Sequence, residues 1–207
     1  MSGLVHIVEG DLSAQAGIDG LLRACGYRTK AYGSTDEILS QIPDDEGASC
    51  ILVDVEKPDT DVPDLFDRLN KAGSNLPVIC LSGQSDVRSG VKAIKAGAED
   101  FFTKPVASEE LIVAIDRAIA RHRLASQQES RLRAARQRLL LLTRREREVF
   151  DLVIRGKMNK QVAFVLGTTE RTVKAHRHKV MEKLQIRSVV ELVSCAERLG
   201  LLRFADP

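Results

Sequence analysis

The chain has 207 residues, 43% hydrophobic and 29% charged, enough for one large packed domain or two smaller ones. Its longest apolar runs, residues 139–142 and 51–53, fall far short of the roughly 18 residues that cross a bilayer, and no charged-then-apolar leader follows Met1, so a cytoplasmic protein without a membrane span is expected. The formal net charge of +2 conceals two opposite halves: residues 1–120 carry 11 Lys or Arg against 20 Asp or Glu, a net of −9, and residues 121–207 carry 20 against 9, a net of +11. Such asymmetry points to an acidic domain joined to a nucleic-acid-binding one, because neutralising phosphates requires concentrated positive charge.

The first half alternates short β-rich runs with segments of helical length. Candidate strands lie at residues 5–8, 28–32, 50–54, 78–82 and 101–104, punctuated by Gly26, Gly33, Gly47, Gly73 and Gly97. The run CILVD is apolar up to its final Asp rather than alternating, which suits a strand covered on both faces. A five-stranded, doubly wound parallel sheet of flavodoxin-like type is therefore expected. Ligands of such sheets sit beyond the carboxyl ends of the strands, and there the sequence places Glu9-Gly10-Asp11, Asp54, Ser82-Gly83 and Lys104-Pro105. A carboxylate nucleophile, acidic groups for a divalent cation, a hydroxyl and a lysine together make a candidate phosphoryl-transfer site. Cys25, Cys50, Cys80 and Cys195 lack metal-ligand spacing and read as structural thiols, with Cys80 near the site the one candidate for redox sensing.

In that order and spacing, residues 4–120 resemble the receiver domain of two-component response regulators. The resemblance implies Asp54 (ILVDVEKP) as phospho-acceptor, Ser82 (VICLSG) as the hydroxyl that senses the phosphoryl group, Lys104 (FFTKP) as charge partner and Phe101 as aromatic switch. It further implies a sensor histidine kinase as phosphoryl donor and Mg²⁺ as cofactor, with the protein acting as substrate and switch rather than enzyme. One position departs. Receivers usually end the first strand with two adjacent carboxylates, the second of which binds Mg²⁺ directly, and here those positions are Glu9 and Gly10. Asp11 and Glu56 are the groups that could approach the vacant ligand position, so the candidate metal set is Glu9, Asp11, Asp54 and Glu56, with weak or absent Mg²⁺ binding. Lys57 before Pro58, and Val62 where the family commonly has Gly, imply a reshaped loop. Two readings of Asp54 follow: phosphorylation with reduced Mg²⁺ affinity, or a degenerate receiver that acts through a partner as an interaction module or phosphate sink.

No Gly or Pro occurs between Pro105 and Gly156. Ser108 followed by Glu109 and Glu110 predicts a helix start, and the last receiver helix is expected to run on through a linker at residues 121–138. Heptad counting puts Leu111, Ala114, Ala118, Arg121, Ala125, Gln128, Leu132, Ala135, Leu139 and Leu142 on one seam, compatible with either a coiled-coil dimer or a solvated helix.

From Thr143 four short helices are expected. Thr143 and Glu146 form a capping-box pair, Asn159 can cap the second helix, Gly167-Thr168 makes a turn, and Thr169 caps a third helix over residues 170–184. Val173, Val180 and Leu184 share one buried stripe, leaving Arg171, Lys174, Ala175 and His178 on the opposite face. The motifs LTRREREV, NKQVA, TERTVKAHR and KVMEKL resemble the LuxR-type helix-turn-helix of FixJ and NarL response regulators, over residues 139–204. That resemblance implies that residues 170–184 enter the major groove of double-stranded DNA. Lys174 and His178 would reach base edges and Ala175 a thymine methyl. Lys160, Arg171 and Arg177 would bind phosphates, with Thr169 and Thr172 at the helix start completing the DNA-facing set. The helix at residues 188–199 offers a face for a homodimer. The whole chain thus reads as a DNA-binding transcriptional response regulator.

Overall fold

The computed structural model describes residues 3–41, 47–55, 62–83 and 87–202. The chain divides into two compact units between Gln127 and Gln128.

In the first unit β1 (Leu4–Val8), α1 (Leu12–Ala24), β2 (Arg28–Tyr32), α2 (Thr35–Ser40), β3 (Ser49–Asp54), α3 (Val62–Lys71), β4 (Val78–Ser82), α4 (Val87–Ala96) and β5 (Asp100–Thr103) alternate along the chain. The strands form one parallel sheet in the order β2-β1-β3-β4-β5. Side chains of a strand alternate between faces, and successive residues of β3 enter different cores. Cys50 and Leu52 join Val5, Ile7, Leu22 and Ile115 on one side, while Ile51 and Val53 join Val8, Tyr32, Ile38 and Leu65 on the other. This two-sided burial is why CILVD carries no polar residue before its final Asp. The order of strands reverses at β1, whose neighbours are β2 and β3, and ligands bind outside the carboxyl ends at such a switch point. The expected sheet is therefore present, with Lys104 immediately past β5 rather than inside it.

The helix α5 (Ser108–Leu140) runs unbroken for 33 residues, as the absence of Gly and Pro predicts. Its details differ from expectation in two respects. The Leu111 amide donates to the Ala107 carbonyl, so Ser108 is the first helical residue rather than the cap. The heptad seam is also not a free stripe. Leu111, Ala114 and Ala118 are buried in the sheet core with Ile115 and Ile119, and Leu139 is buried in the core of the second unit. A core position cannot also be an interhelical knob. What remains exposed is Arg121, Ala125 and Gln128, flanked by the half-buried Leu132 and Ala135.

The second unit contains α6 (Arg144–Ile154), α7 (Asn159–Val165), α8 (Glu170–Leu184) and α9 (Val189–Arg198). Val149, Phe150, Val153, Val162, Val173, Val180, Leu184 and Leu192 form its core. Thr143 and Glu146 make the reciprocal capping box that their spacing predicts: the Thr143 amide donates to Glu146 at 2.8 Å and the Glu146 amide to Thr143 Oγ1 at 3.3 Å.

Candidate acidic pocket and nucleic-acid interface

Three strand ends deliver Glu9, Asp54 and Lys104 to one place. Lys104 Nζ donates to Asp54 Oδ2 at 2.8 Å and to Glu9 Oε2 at 3.3 Å. Both carboxylates are largely shielded, with the Glu9 side chain 3% and the Asp54 side chain 10% exposed, whereas Lys104 is 28% exposed. Burial by itself would push the Lys104 ammonium down; the hydrogen bonds and charges of Asp54 and Glu9 outweigh it and hold the ammonium above the usual lysine value. Ser82 ends β4 beside this pair, buried, and its carbonyl accepts the Lys104 amide at 2.7 Å, which ties hydroxyl and ammonium to one rigid edge. Phe101, half-buried, packs its ring so closely on α4 that a Cβ at Gly90 would lie 3.1 Å from Phe101 Cδ1.

The rest of the expected metal set does not converge. Glu9 Oε1 accepts the Asp11 amide at 2.8 Å, so both Glu9 oxygens are engaged. Asp11 is the N-cap of α1: its Oδ1 accepts the Ala14 amide at 2.8 Å and the residue is solvent-exposed. Turning it into the pocket would forfeit a cap worth about 0.5–2 kcal/mol. Glu56, Lys57 and Pro58 lie outside the described residues, and Val62 is the first residue of α3. Among the described residues no group of three His, Cys, Asp or Glu side chains could hold a metal ion. Mg²⁺ demands near-octahedral oxygen geometry anchored by one or two carboxylates, and the two that converge here, Glu9 and Asp54, are both already bound to Lys104.

Sequence patterns gave no sign of Gln15. Its amide donates to the carbonyls of Glu9 at 2.9 Å and Tyr32 at 3.2 Å, pinning the end of β1 against β2. Cys50 and Cys80 are fully buried, and burial pushes both thiols up to about 12. Neither is a thiolate at neutral pH, which removes the basis for redox sensing at Cys80.

In the second unit Thr169 caps α8 as expected, accepting the Thr172 amide at 3.2 Å and lying 2.9 Å from the Thr172 hydroxyl. Val173, Val180 and Leu184 are buried, while Arg171, Lys174, Ala175 and His178 are exposed together on the other face, as is Lys160 on α7. Two residues take different positions from those expected. Asn159 is not a cap but the first residue of α7: Met158 occupies the cap position, its amide donating to Gln161 Oε1 at 2.9 Å. The Asn159 side chain instead accepts Arg177 Nη1 at 2.5 Å. Arg177 is thus half-buried at the junction of α7 and α8 rather than displayed beside Lys174. His176 faces inward, with Nδ1 buried.

Two further ties hold the helices at fixed angles. Arg145 Nη2 donates to the Leu166 carbonyl at the end of α7, and Lys183 Nζ of α8 donates to Glu146 Oε2 at 2.6 Å and to the Leu141 carbonyl at 3.1 Å. The Lys183 ammonium holds the Glu146 carboxyl below the usual glutamate value against the opposing effect of burial. The capping-box glutamate therefore also anchors the helix that bears the exposed cations.

Comparison with known proteins finds a family match in each half of the chain. Residues 5–116 match the response regulator receiver domain, and residues 140–196 match the luxR family of bacterial regulatory proteins. The chain belongs to the LuxR-type response regulators, transcriptional regulators of two-component systems that carry a receiver and a helix-turn-helix DNA-binding domain. Among its relatives, the response regulator protein TodT of Pseudomonas putida is 36% identical over 96% of this chain and 87% of TodT. The transcriptional regulatory protein FixJ of Bradyrhizobium diazoefficiens is 31% identical over 97% of both chains. The solved structure of the response regulator StyR is similar at a TM-score of 0.83, with 32% identity over 96% of this chain and all of that one. Receiver domains in general bind Mg²⁺ for phosphorylation.

Proposed function

We propose that Asp54 accepts a phosphoryl group from a sensor histidine kinase and that this controls DNA binding by α8. An Asp54 carboxylate oxygen attacks the phosphorus of the kinase phosphohistidine; the P–N bond breaks, the imidazole nitrogen keeps the bonding pair, and an acyl phosphate forms. The observation that carries this reading is Lys104, whose ammonium lies 2.8 Å from Asp54 and is positioned to neutralise the incoming phosphoryl oxygens. Ser82 then hydrogen-bonds the phosphoryl group and Phe101 follows it, repacking against Gly90. Apart from this acceptor chemistry no turnover is assigned to the chain.

On the DNA side, α8 enters the major groove. Lys174 and His178 reach base edges and Ala175 a thymine methyl, while Lys160, Arg171, Thr169 and Thr172 contact backbone phosphates. Arg177 contributes chiefly by fixing α7 to α8 through Asn159. The working division is a receiver at 4–120, a linker at 121–138 and a DNA-binding domain at 139–204, in a cytoplasmic protein that pairs as a homodimer on two-fold operators.

The test is phosphoryl transfer from a phosphorylated kinase or acetyl phosphate to the full-length chain, followed by footprinting. Labelling lost in Asp54→Asn, with footprint changes on labelling of the native chain, is the expected result. Label that persists in Asp54→Asn overturns the acceptor assignment. An unchanged footprint pattern in Lys174→Ala overturns the groove assignment.

A further inference from the structure

We propose that this receiver has given up the divalent-cation site of its family, that Lys104 is the resident counter-charge of the pocket, and that the missing side chain at position 10 is a cause of the loss. The inference rests on reading the Asp54 pocket as the phosphoryl-acceptor site. Among the described residues the pocket contains two shielded carboxylates, Glu9 and Asp54, bridged by a single ammonium. A dication entering there must draw Lys104 off one or both of them. Glu9 cannot turn to meet it without releasing the Asp11 amide as well. Asp11 cannot replace the missing ligand without uncapping α1 at Ala14. Gly10, between them, supplies no side chain.

The backbone does not require glycine at this position. The described glycines with positive φ are Gly26, Gly47, Gly73, Gly97, Gly156, Gly167 and Gly200, and Gly10 is not among them. An L side chain is therefore conformationally admissible at residue 10. An aspartate there would add one carboxylate with no prior partner and raise the negative charge facing a cation. Close to a metal ion, one added carboxylate is expected to tighten binding about a hundredfold.

Calorimetric titration of the full-length chain with MgCl₂ tests this directly, and it requires no phosphoryl transfer. The native chain should bind Mg²⁺ about a hundredfold more weakly than Gly10→Asp, with Gly10→Asn as the uncharged control showing no gain. Native binding as tight as that of Gly10→Asp overturns the proposal, and loss of such binding in Asp11→Asn would assign the ligand to Asp11. Should Gly10→Asp fail to fold, Lys104→Met decides instead: removing the counter-charge should tighten Mg²⁺ binding, and an unchanged affinity overturns Lys104's role. Failure of Asp54 to accept phosphate would leave these affinities untouched, so the two readings fail independently.

Discussion

A side chain's existing partner limits where it can reach, and Asp11, Asn159 and Arg177 each show it. Their types and positions suited a metal ligand, a helix cap and a phosphate contact. They are engaged respectively by the Ala14 amide, by Arg177 and by Asn159. His6 presents the converse case, a titratable group enclosed by apolar neighbours. It is 1% exposed, with Nδ1 3.2 Å from the Tyr32 hydroxyl. Burial, then the positive charges of Lys30 and His122, lower its imidazole from 6.5 to about 4. The unfolded chain takes up this proton below 6.5 and the folded one does not until about 4, so stability falls as pH drops through that window and is unaffected above it. Denaturant titrations from pH 6.5 down to 4 should show a loss on the order of 1–3 kcal/mol in the native chain that is absent in His6→Asn. Parallel pH profiles for the two chains would exclude His6 as the cause.

Helix ends are the elements whose chemistry was most legible, because caps are local. Thr143 and Thr169 cap α6 and α8 through the side-chain bonds that their positions predict, and Ser188, expected as the first residue of α9, caps it instead. Gly156 and Gly167 adopt positive φ where α6 and α7 stop. The end of α8 is the exception: Gln185 sits there at φ 56, its amide donating to Glu182 and that of Ile186 to Met181. This is a Schellman-type end with a glutamine where glycine is the unstrained choice. Gln185→Gly is expected to stabilise the protein by about 0.5–1 kcal/mol. The check is a raised urea midpoint at unchanged slope; a lowered midpoint would show that the Gln185 side chain contributes more than its backbone costs. The heptad pattern along α5 left two readings open for the opposite reason. Leu111 and Leu139 are spaced like a seam, but spacing along one helix does not say which surface receives it.

At the scale of the whole molecule, the contrast between −9 over residues 1–120 and +11 over 121–207 sets a measurable salt dependence. Each phosphate neutralised releases condensed counterions, so log affinity should fall linearly with log salt. Lys160→Ala should weaken binding across all sequences and reduce that slope by about 1, whereas Lys174→Ala should chiefly alter sequence preference. Equal slopes for native and Lys160→Ala would remove Lys160 from the phosphate contacts.

The sequence by itself determined the two domain types, the strand and helix order, the buried stripe of α8 and the identity of Asp54, Ser82 and Lys104 as residues at strand ends. These follow from periodicity, caps and motif spacing, which act over a few residues. Only the tertiary structure decided that Lys104 bridges Glu9 and Asp54, that Gln15 pins the end of β1, that Arg177 binds Asn159 and that Leu111 belongs to the sheet core. Each depends on which groups from distant segments compete for the same hydrogen bond or the same apolar surface, and nothing in local spacing records the outcome of that competition.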